Sequence, residues 1–127
     1  MAIYEQPVIK HGVPTRWGWV VLYPEGLTMP KDNWVDIGYG TLIQAKCGVW
    51  IGGGVQIGAG VRIYSESTID DEQEEVVIKR GACIGANSVI MPGAKIGEFV
   101  KIGALTFVPR GEYPEGTWVG QPARRVK

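Results

Sequence analysis

Aliphatic residues recur at every sixth position along most of this chain. An amphipathic helix repeats its apolar face about every 3.6 residues and a half-buried strand repeats it about every 2 residues, so neither element gives this period. The residues in phase are Ile37, Ile43, Ile51, Ile57, Ile63, Ile69, Ile78, Ile84, Ile90, Ile96, Ile102 and Val108. The chain must therefore adopt a fold that returns to its core once in each six residues.

The residues between the aliphatic positions also follow a rule. Four residues after the aliphatic position lies a small or β-branched residue, at Thr41, Cys47, Val55, Val61, Ser67, Ala82, Ser88, Ala94, Val100 and Thr106. Three residues after it lies a residue that tolerates left-handed backbone dihedrals, at Gly40, Gly54, Gly60, Gly81, Asn87 and Gly93. Each hexad thus predicts a short strand and a corner, with the aliphatic and the small residue facing inward.

A unit of six residues cannot bury a core alone, so it must coil and stack on copies of itself. Three hexads close one triangular coil, and stacked coils pair strand on strand at about 4.8 Å. Families that carry this repeat coil left-handedly, against the usual crossover rule. An antiparallel sandwich would instead show period-two alternation and variable loops. We therefore expect an all-β chain, a left-handed parallel β-helix of hexapeptide repeats with a short irregular N-terminal cap.

The 127 residues are enough for one folding unit. Before Asn33 the repeat fades, which predicts a cap over residues 1–34 and the β-helix over residues 35–127, with Trp17 and Trp19 in the cap core. The period is interrupted twice, with eight residues from Ile43 to Ile51 and nine from Ile69 to Ile78. The second interruption contains DDEQEE, and such a run of carboxylates predicts a solvated bulge.

The charges are balanced, with 13 basic and 13 acidic residues, so nothing points to a nucleic-acid or membrane-surface partner. The N-terminus shows no basic segment followed by a long apolar run, and no apolar stretch approaches the roughly 20 residues that span a bilayer. Cys47 and Cys83 make neither a disulfide framework nor a metal-ligand cluster. A soluble cytoplasmic protein is the expectation.

From Val35 onward the chain resembles the hexapeptide-repeat acyltransferases, in particular sugar and sugar-nucleotide acetyltransferases of the maltose and galactoside acetyltransferase type. The likeness lies in IGANSVIMPG and in IGALTFVPRGEYPEGTWVGQPARRV, which is similar to the terminal coil and closing G-x-P-A-[KR] segment of that family. The resemblance implies a homotrimer that binds acetyl-CoA in a groove between neighbouring β-helices. It also implies a small-molecule sugar or nucleotide-linked amino sugar as acceptor, for cell-surface polysaccharide synthesis, and no required metal.

The resemblance also assigns cofactor-binding residues. Backbone groups around Gly85, Ala86 and Ala104 would meet the pantetheine arm of acetyl-CoA, while the nucleotide phosphates would lie near Thr106, Arg110, Arg124 and Arg125. Arginine suits phosphate because its planar guanidinium donates two parallel hydrogen bonds. Each arginine taken alone is equally well read as a solvated surface charge.

The chain departs from the family at the catalytic base. In the maltose and galactoside acetyltransferases a histidine deprotonates the acceptor hydroxyl, and the matching stretch here, IYSESTID, has Thr68 at that position. The only histidine, His11, lies in the cap and is expected to be structural. Three routes stay open. Glu66 or an acid between Asp70 and Glu75, such as Asp71, acts as base, a neighbour's His11 does so, or the acceptor is an amine that needs positioning more than deprotonation.

Two other functions can be weighed for this scaffold, and the sequence excludes the first. The γ-class carbonic anhydrases hold zinc with three histidines across a subunit interface, which a chain with one histidine cannot supply. A non-catalytic structural or assembly subunit is the second alternative, favoured by the missing histidine and opposed by the retained closing segment. Binding of acetyl-CoA would discriminate between that role and an acyltransferase.

Overall fold

Short strands joined by tight turns build the computed structural model, which describes residues 7–31 and 34–127. Fifteen of these strands form three parallel stacks, named sheets I, II and III. Sheet I consists of β1 (Val20–Leu22), β4 (Leu42–Gln44), β7 (Arg62–Tyr64), β12 (Val89–Ile90) and β15 (Phe107–Val108). Sheet II consists of β2 (Leu27–Thr28), β5 (Val49–Ile51), β10 (Val76–Ile78), β13 (Ala94–Ile96) and β16 (Gly111–Tyr113).

Sheet III consists of β3 (Asp36–Ile37), β6 (Gln56–Ile57), β11 (Cys83–Ile84), β14 (Lys101–Ile102) and β17 (Thr117–Val119), with β18 (Arg124–Arg125) added antiparallel to β17. The chain passes through sheets I, II and III in turn five times, so it makes five coils. This architecture confirms the left-handed parallel β-helix. We name the three corners of the prism the I–II, II–III and III–I edges. No helix among the described residues is long and apolar enough to cross a membrane.

The aliphatic residues of the repeat stack on one another inside the prism. In sheet I, Ile43, Ile63, Ile90 and Val108 are aligned across successive coils and are fully buried. Equivalent ladders run through Ile51, Ile78, Ile96 and Tyr113 in sheet II, and through Ile37, Ile57, Ile84 and Ile102 in sheet III. Full burial of such a side chain stabilises the fold by about 1.5–3 kcal/mol, so these ladders are what hold the coils together.

The corners use left-handed backbone dihedrals, as the sequence predicts. The six predicted positions, Gly40, Gly54, Gly60, Gly81, Asn87 and Gly93, all have positive φ. The same position in the next two hexads is occupied by Phe99 and Leu105, each with φ 59°. A side chain in this region costs roughly 1–2 kcal/mol. The stacking of the coils therefore imposes the corner even where the sequence has no glycine.

Three positions predicted to face inward do not do so. Ile69 is 94% exposed, and Cys47 and Ser67 are only partly buried. At both interruptions the inward position is taken two residues earlier, by Ala45 and Ser65, each of which is fully buried. The reason is that the extra residues enter immediately after a sheet I strand. The second insertion therefore begins before Ile69 and carries it away from the core.

The inserted residues form a hairpin on the third coil. Strands β8 (Glu66–Ser67) and β9 (Glu72–Gln73) pair antiparallel, and this hairpin, residues 66–73, projects from the I–II edge. The solvated bulge predicted for the acidic run is thus an ordered hairpin with Ile69 at its exposed tip.

The N-terminal segment contributes regular structure before residue 35. Strands β1 and β2 pair in register with β4 and β5, so the first coil begins within the segment predicted as a cap. Trp19 is buried in the core, whereas Trp17 is 41% exposed. Nδ1 of His11 accepts a hydrogen bond from the backbone N–H of Tyr23 at 2.9 Å. The cap prediction for residues 1–6, 32 and 33 lies outside the described residues.

Candidate functional site

The predicted pantetheine-contacting residues lie together at the III–I edge. Gly85 and Ala86 form the corner after the third coil, and Ala104 lies in the corner directly below. A Cβ built on Gly85 would come 2.4 Å from the backbone N of Ala104, so the two corners stack only because residue 85 has no side chain. Leu105 N donates to the Ala86 carbonyl at 2.9 Å. The edge therefore exposes backbone and small side chains to whatever lies along it.

An open groove of about 580 Å³ runs beside this edge. Asn87, Leu105 and Phe107 line one side, and Gln121 and Pro122 of the closing segment line the other. The closing segment is fixed to the last corner because Gln121 Nε2 donates to the Leu105 carbonyl at 2.9 Å. Phe107 N also donates to the Gly120 carbonyl at 3.0 Å. The segment predicted to close an acyl-CoA site thus forms a wall of a groove.

The polar residues predicted near the cofactor phosphates have different environments. The side chain of Thr106 is 1% exposed, and its hydroxyl donates to the Gly103 carbonyl at 2.7 Å, so it points into the coil. Arg124 and Arg125 are exposed on β18, and Arg125 Nε donates to the Lys127 carbonyl at 3.2 Å. Arg110 lies at the I–II edge instead, where it pairs with Glu74 and Glu72. The phosphate-binding role of all four residues stays a prediction.

The three candidate catalytic residues lie in or at the tip of the hairpin. The side chain of Glu66 is 9% exposed, and its two oxygens contact Lys46 Nζ at 3.5 Å and Gln73 Nε2 at 2.9 Å. Thr68 and Asp71 are exposed at the tip, and Asp71 has φ 54°. Glu66 is therefore held by two partners, and the other two side chains are free to face an incoming molecule.

The base of the hairpin is hydrogen-bonded to the second coil. The Ser65 hydroxyl donates to the Gln44 carbonyl at 2.8 Å and accepts from the Cys47 N–H at 2.9 Å. Glu74 N donates to the Ser65 carbonyl at 3.0 Å, which closes the hairpin. Ser65 is thus the residue from which the hairpin leaves the helix.

The sequence prediction missed the cations that surround this hairpin. Lys46 contacts Glu66, and Lys95 Nζ donates to the Glu75 carbonyl at 2.6 Å and lies 3.8 Å from Glu74 Oε2. A run of five carboxylates in a chain of zero net charge is a signal that cations should lie nearby. Their identity depends on which residues the coils place next to the run, which the sequence alone does not give.

A single chain does not bring the two predicted sets of residues together. The candidate cofactor-binding corners lie at the III–I edge, whereas the hairpin projects from the I–II edge on the other side of sheet I. Among residues 7–31 and 34–127, no group of three or more His, Cys, Asp and Glu side chains is placed to hold a metal ion.

Comparison with known proteins agrees with the fold and the repeat. Residues 75–110 match the family described as bacterial transferase hexapeptide (six repeats). A maltose O-acetyltransferase from Clostridium difficile has a similar structure, with TM-score 0.75 and 24% identity over 87% of this chain and 63% of that one. Residues 75–110 therefore carry this transferase repeat, and the structural likeness agrees with the β-helix fold.

Two curated relatives are acetyltransferases. A serine acetyltransferase from Buchnera aphidicola is 31% identical over 98 residues, which is 72% of this chain and 38% of the relative. A dTDP-3-amino-3,6-dideoxy-alpha-D-galactopyranose 3-N-acetyltransferase from Aneurinibacillus thermoaerophilus is 46% identical over 48 residues, which is 38% of this chain and 25% of the relative. This chain thus spans well under half the length of each.

Proposed function

We propose that this chain is an acyl-CoA-dependent acetyltransferase whose acceptor is a sugar, in the form of a nucleotide-linked amino sugar. The observation that carries the proposal is the groove at the III–I edge, which lies beside the bare corners at Gly85 and Ala104 and is walled by the closing segment. The matched transferase repeat at residues 75–110 includes both corners. The groove is open and lined largely by apolar side chains such as Leu105 and Phe107, which suits the pantetheine arm of a coenzyme A thioester.

In this proposal acetyl-CoA lies along Gly85, Ala86 and Ala104, and Arg124 and Arg125 bind its phosphates. The backbone N–H groups of a corner can stabilise the oxyanion that develops on the thioester carbonyl. The exposed guanidinium groups of β18 suit phosphate because each presents several donors in a fixed plane. We place the reaction in the cytoplasm, where acetyl-CoA is available, as a step in cell-surface polysaccharide synthesis.

A homotrimer would complete the site, because the groove of one chain and the hairpin of another must meet. Sheet I lies between the two edges, and its outer face carries Leu42, Val89 and Phe107 in register with Arg62. The three apolar side chains of this face suit contact with a neighbouring β-helix.

We therefore expect light scattering at micromolar concentration to give three times the 13.8 kDa mass of the chain. Replacing Val89, on the outer face of sheet I, with glutamate should shift the mass toward that of one chain, since it places a charge in an apolar contact. Lys101→Glu on the exposed face of sheet III is the matched control and should leave the mass unchanged. A wild-type protein that is monomeric would remove the intersubunit site.

An amine acceptor explains the absence of histidine from the hairpin. A free amine already carries the lone pair that attacks the thioester carbonyl. The carbon–sulfur bond then breaks, the thiolate of coenzyme A leaves, and the proton of the attacking nitrogen passes to the thiolate or to water. The protein then has only to orient the two reactants and to stabilise the oxyanion. Positioning alone can accelerate such a transfer strongly. The relative that acetylates a dTDP-linked amino sugar supports this choice of acceptor.

Paired acceptors test the proposal, one with an amine and one with a hydroxyl at the same sugar carbon. We expect faster acetyl transfer to the amine, with a rate that rises with pH until the amine is unprotonated. Glu66→Gln should lower kcat by about tenfold, less than the 10²–10⁴ that removal of a general base typically costs. Preference for the hydroxyl acceptor, or loss of nearly all activity in Glu66→Gln, would restore a side-chain base.

A structural subunit is the second candidate function. It is favoured by Glu66, because both of its oxygens are already engaged by neighbours on the protein. A chain that fails to bind acetyl-CoA while forming the expected assembly would support this alternative against the enzyme.

A further inference from the structure

We propose that Arg110 anchors the hairpin of residues 66–73 and so positions the acceptor, instead of binding the phosphates of the cofactor. The proposal rests on the proposed function, in which the hairpin of one chain meets the groove of another, and it adds that the acceptor lies at the exposed tip of that hairpin. Resemblance to the family would place Arg110 beside the phosphates. Its contacts in this chain are with the hairpin, which the proposal links to the acceptor and not to the cofactor.

The guanidinium of Arg110 is directed at the hairpin. Arg110 lies between β15 and β16, in the fifth coil, and its Nη1 pairs with Glu74 Oε1. Its Nε lies 3.9 Å from Glu72 Oε2. Glu72 belongs to β9, and Glu74 directly follows it on the return to the third coil. One arginine thus joins two carboxylates of the returning limb, those of Glu72 and Glu74, to the fifth coil.

The fourth coil leaves room for this ion pair to cross it. Arg110 and Glu74 are two coils apart, which is about 10 Å along the axis. Between them lies Gly93, where a Cβ would come 2.9 Å from Glu74 Oε1 and 3.1 Å from Arg110 Cγ. Gly93 also has φ 82°, so the same residue turns the corner and leaves the passage open.

Lys95 and Lys46 complete the attachment. Lys95, in the fourth coil, holds the returning limb through the Glu75 carbonyl at 2.6 Å, and Lys46, in the second coil, holds Glu66 at 3.5 Å. The hairpin is therefore attached to the coils above and below it, while Thr68 and Asp71 at its tip stay exposed. A loop held at both limbs presents its tip in a fixed orientation, which is what a positioning element requires.

Arg124 and Arg125 are better placed for phosphate. In the described part of the chain neither pairs with an Asp or Glu side chain, whereas the charge of Arg110 is compensated by two glutamates. A phosphate would have to displace Glu72 and Glu74 before it could use Arg110. The two exposed arginines of β18 need no such exchange.

The test compares Arg110→Gln and Arg110→Lys with Arg80→Gln in the full chain. Arg80 is a matched control because it is also half-exposed and pairs with one glutamate, Glu98 at 3.8 Å, on the II–III edge. Hydrogen–deuterium exchange of the amides in residues 66–75 reports anchoring without any assay of activity. Titrations with acetyl-CoA, and KM for dTDP-3-amino-3,6-dideoxygalactose as the probe, report which side of the reaction is affected.

In Arg110→Gln we expect exchange of the hairpin amides to be about fivefold faster, with the amides of sheet II unchanged. The KM for the amino sugar should rise by about tenfold, and the Kd for acetyl-CoA should stay within about twofold. Arg110→Lys should recover part of both effects, and Arg80→Gln should change neither.

The measurements distinguish the anchoring role of Arg110 from the proposed enzymatic function. Unchanged hairpin exchange in Arg110→Gln would overturn the anchoring role whether or not the chain is an enzyme. Faster exchange together with weaker acetyl-CoA binding and an unchanged acceptor KM would return Arg110 to the cofactor. Faster exchange in a protein that transfers no acetyl group would keep the anchor and reject both the proposed function and the positioning role that rests on it.

Discussion

Ile63→Ala is expected to lower the free energy of unfolding by about 2–5 kcal/mol, whereas Ile69→Ala should change it by less than about 0.5 kcal/mol. The two isoleucines are six residues apart and occupy the same phase of the repeat. Ile63 is fully buried between Ile43 and Ile90, so removal of its side chain leaves a cavity in a stacked ladder. Ile69 is 94% exposed at the tip of the hairpin and contributes little that alanine would lose.

Urea denaturation of the two variants, followed by circular dichroism, measures this difference. The midpoint should fall strongly for Ile63→Ala and stay near that of the wild type for Ile69→Ala. Losses of similar size would show that the register continues unbroken through Ile69 and that the hairpin is wrongly placed.

The repeat predicts the fold because each coil buries equivalent aliphatic residues at equivalent positions. Ile84, Ile90, Ile96 and Ile102 follow one another without interruption, and every one of them is buried where the period places it. A regular period fixes the strand, the corner and the inward face together, so little else is needed to derive the β-helix.

The hairpin shows why the interruptions are harder to place. A gap of nine residues between Ile69 and Ile78 does not reveal whether the extra residues enter before or after Ile69. The structure places them before it, where the hydroxyl of buried Ser65 donates to Gln44 and accepts from the Cys47 N–H at the point of departure. A hydroxyl two residues after Ile63 was the available signal, and its partners come from another coil.

The sequence predicts only part of the arrangement of the candidate residues. The small residues at 85, 86 and 104 lie together because they occupy the same corner of successive coils, which the period implies. Arg110 was grouped with them through resemblance to a family, yet it lies on another edge beside Glu74. An ion pair that reaches across the fourth coil depends on the length of the two side chains, and a linear sequence does not show it.

A substitution beside the groove at the III–I edge is expected to have a large effect on acetyl-CoA binding. Ala104→Glu should weaken acetyl-CoA binding by at least about tenfold, because it adds both bulk and negative charge beside a bound thioester and its phosphates. Ala104 is exposed, so the substitution should leave the thermal stability unchanged. Ala59→Glu is the matched control, since Ala59 is an exposed alanine in the same corner of an earlier coil. It lies two corners away from Ala104 along the III–I edge.

Isothermal titration calorimetry of the purified chain with acetyl-CoA tests the central claim most directly. We expect one binding site per chain in the wild type, weaker binding by at least about tenfold in Ala104→Glu, and wild-type affinity in Ala59→Glu. A wild-type chain that binds no acetyl-CoA would contradict the assignment of the chain as an acyl-CoA-dependent transferase. Equal affinity in the wild type and Ala104→Glu would place the cofactor somewhere other than the groove at the III–I edge.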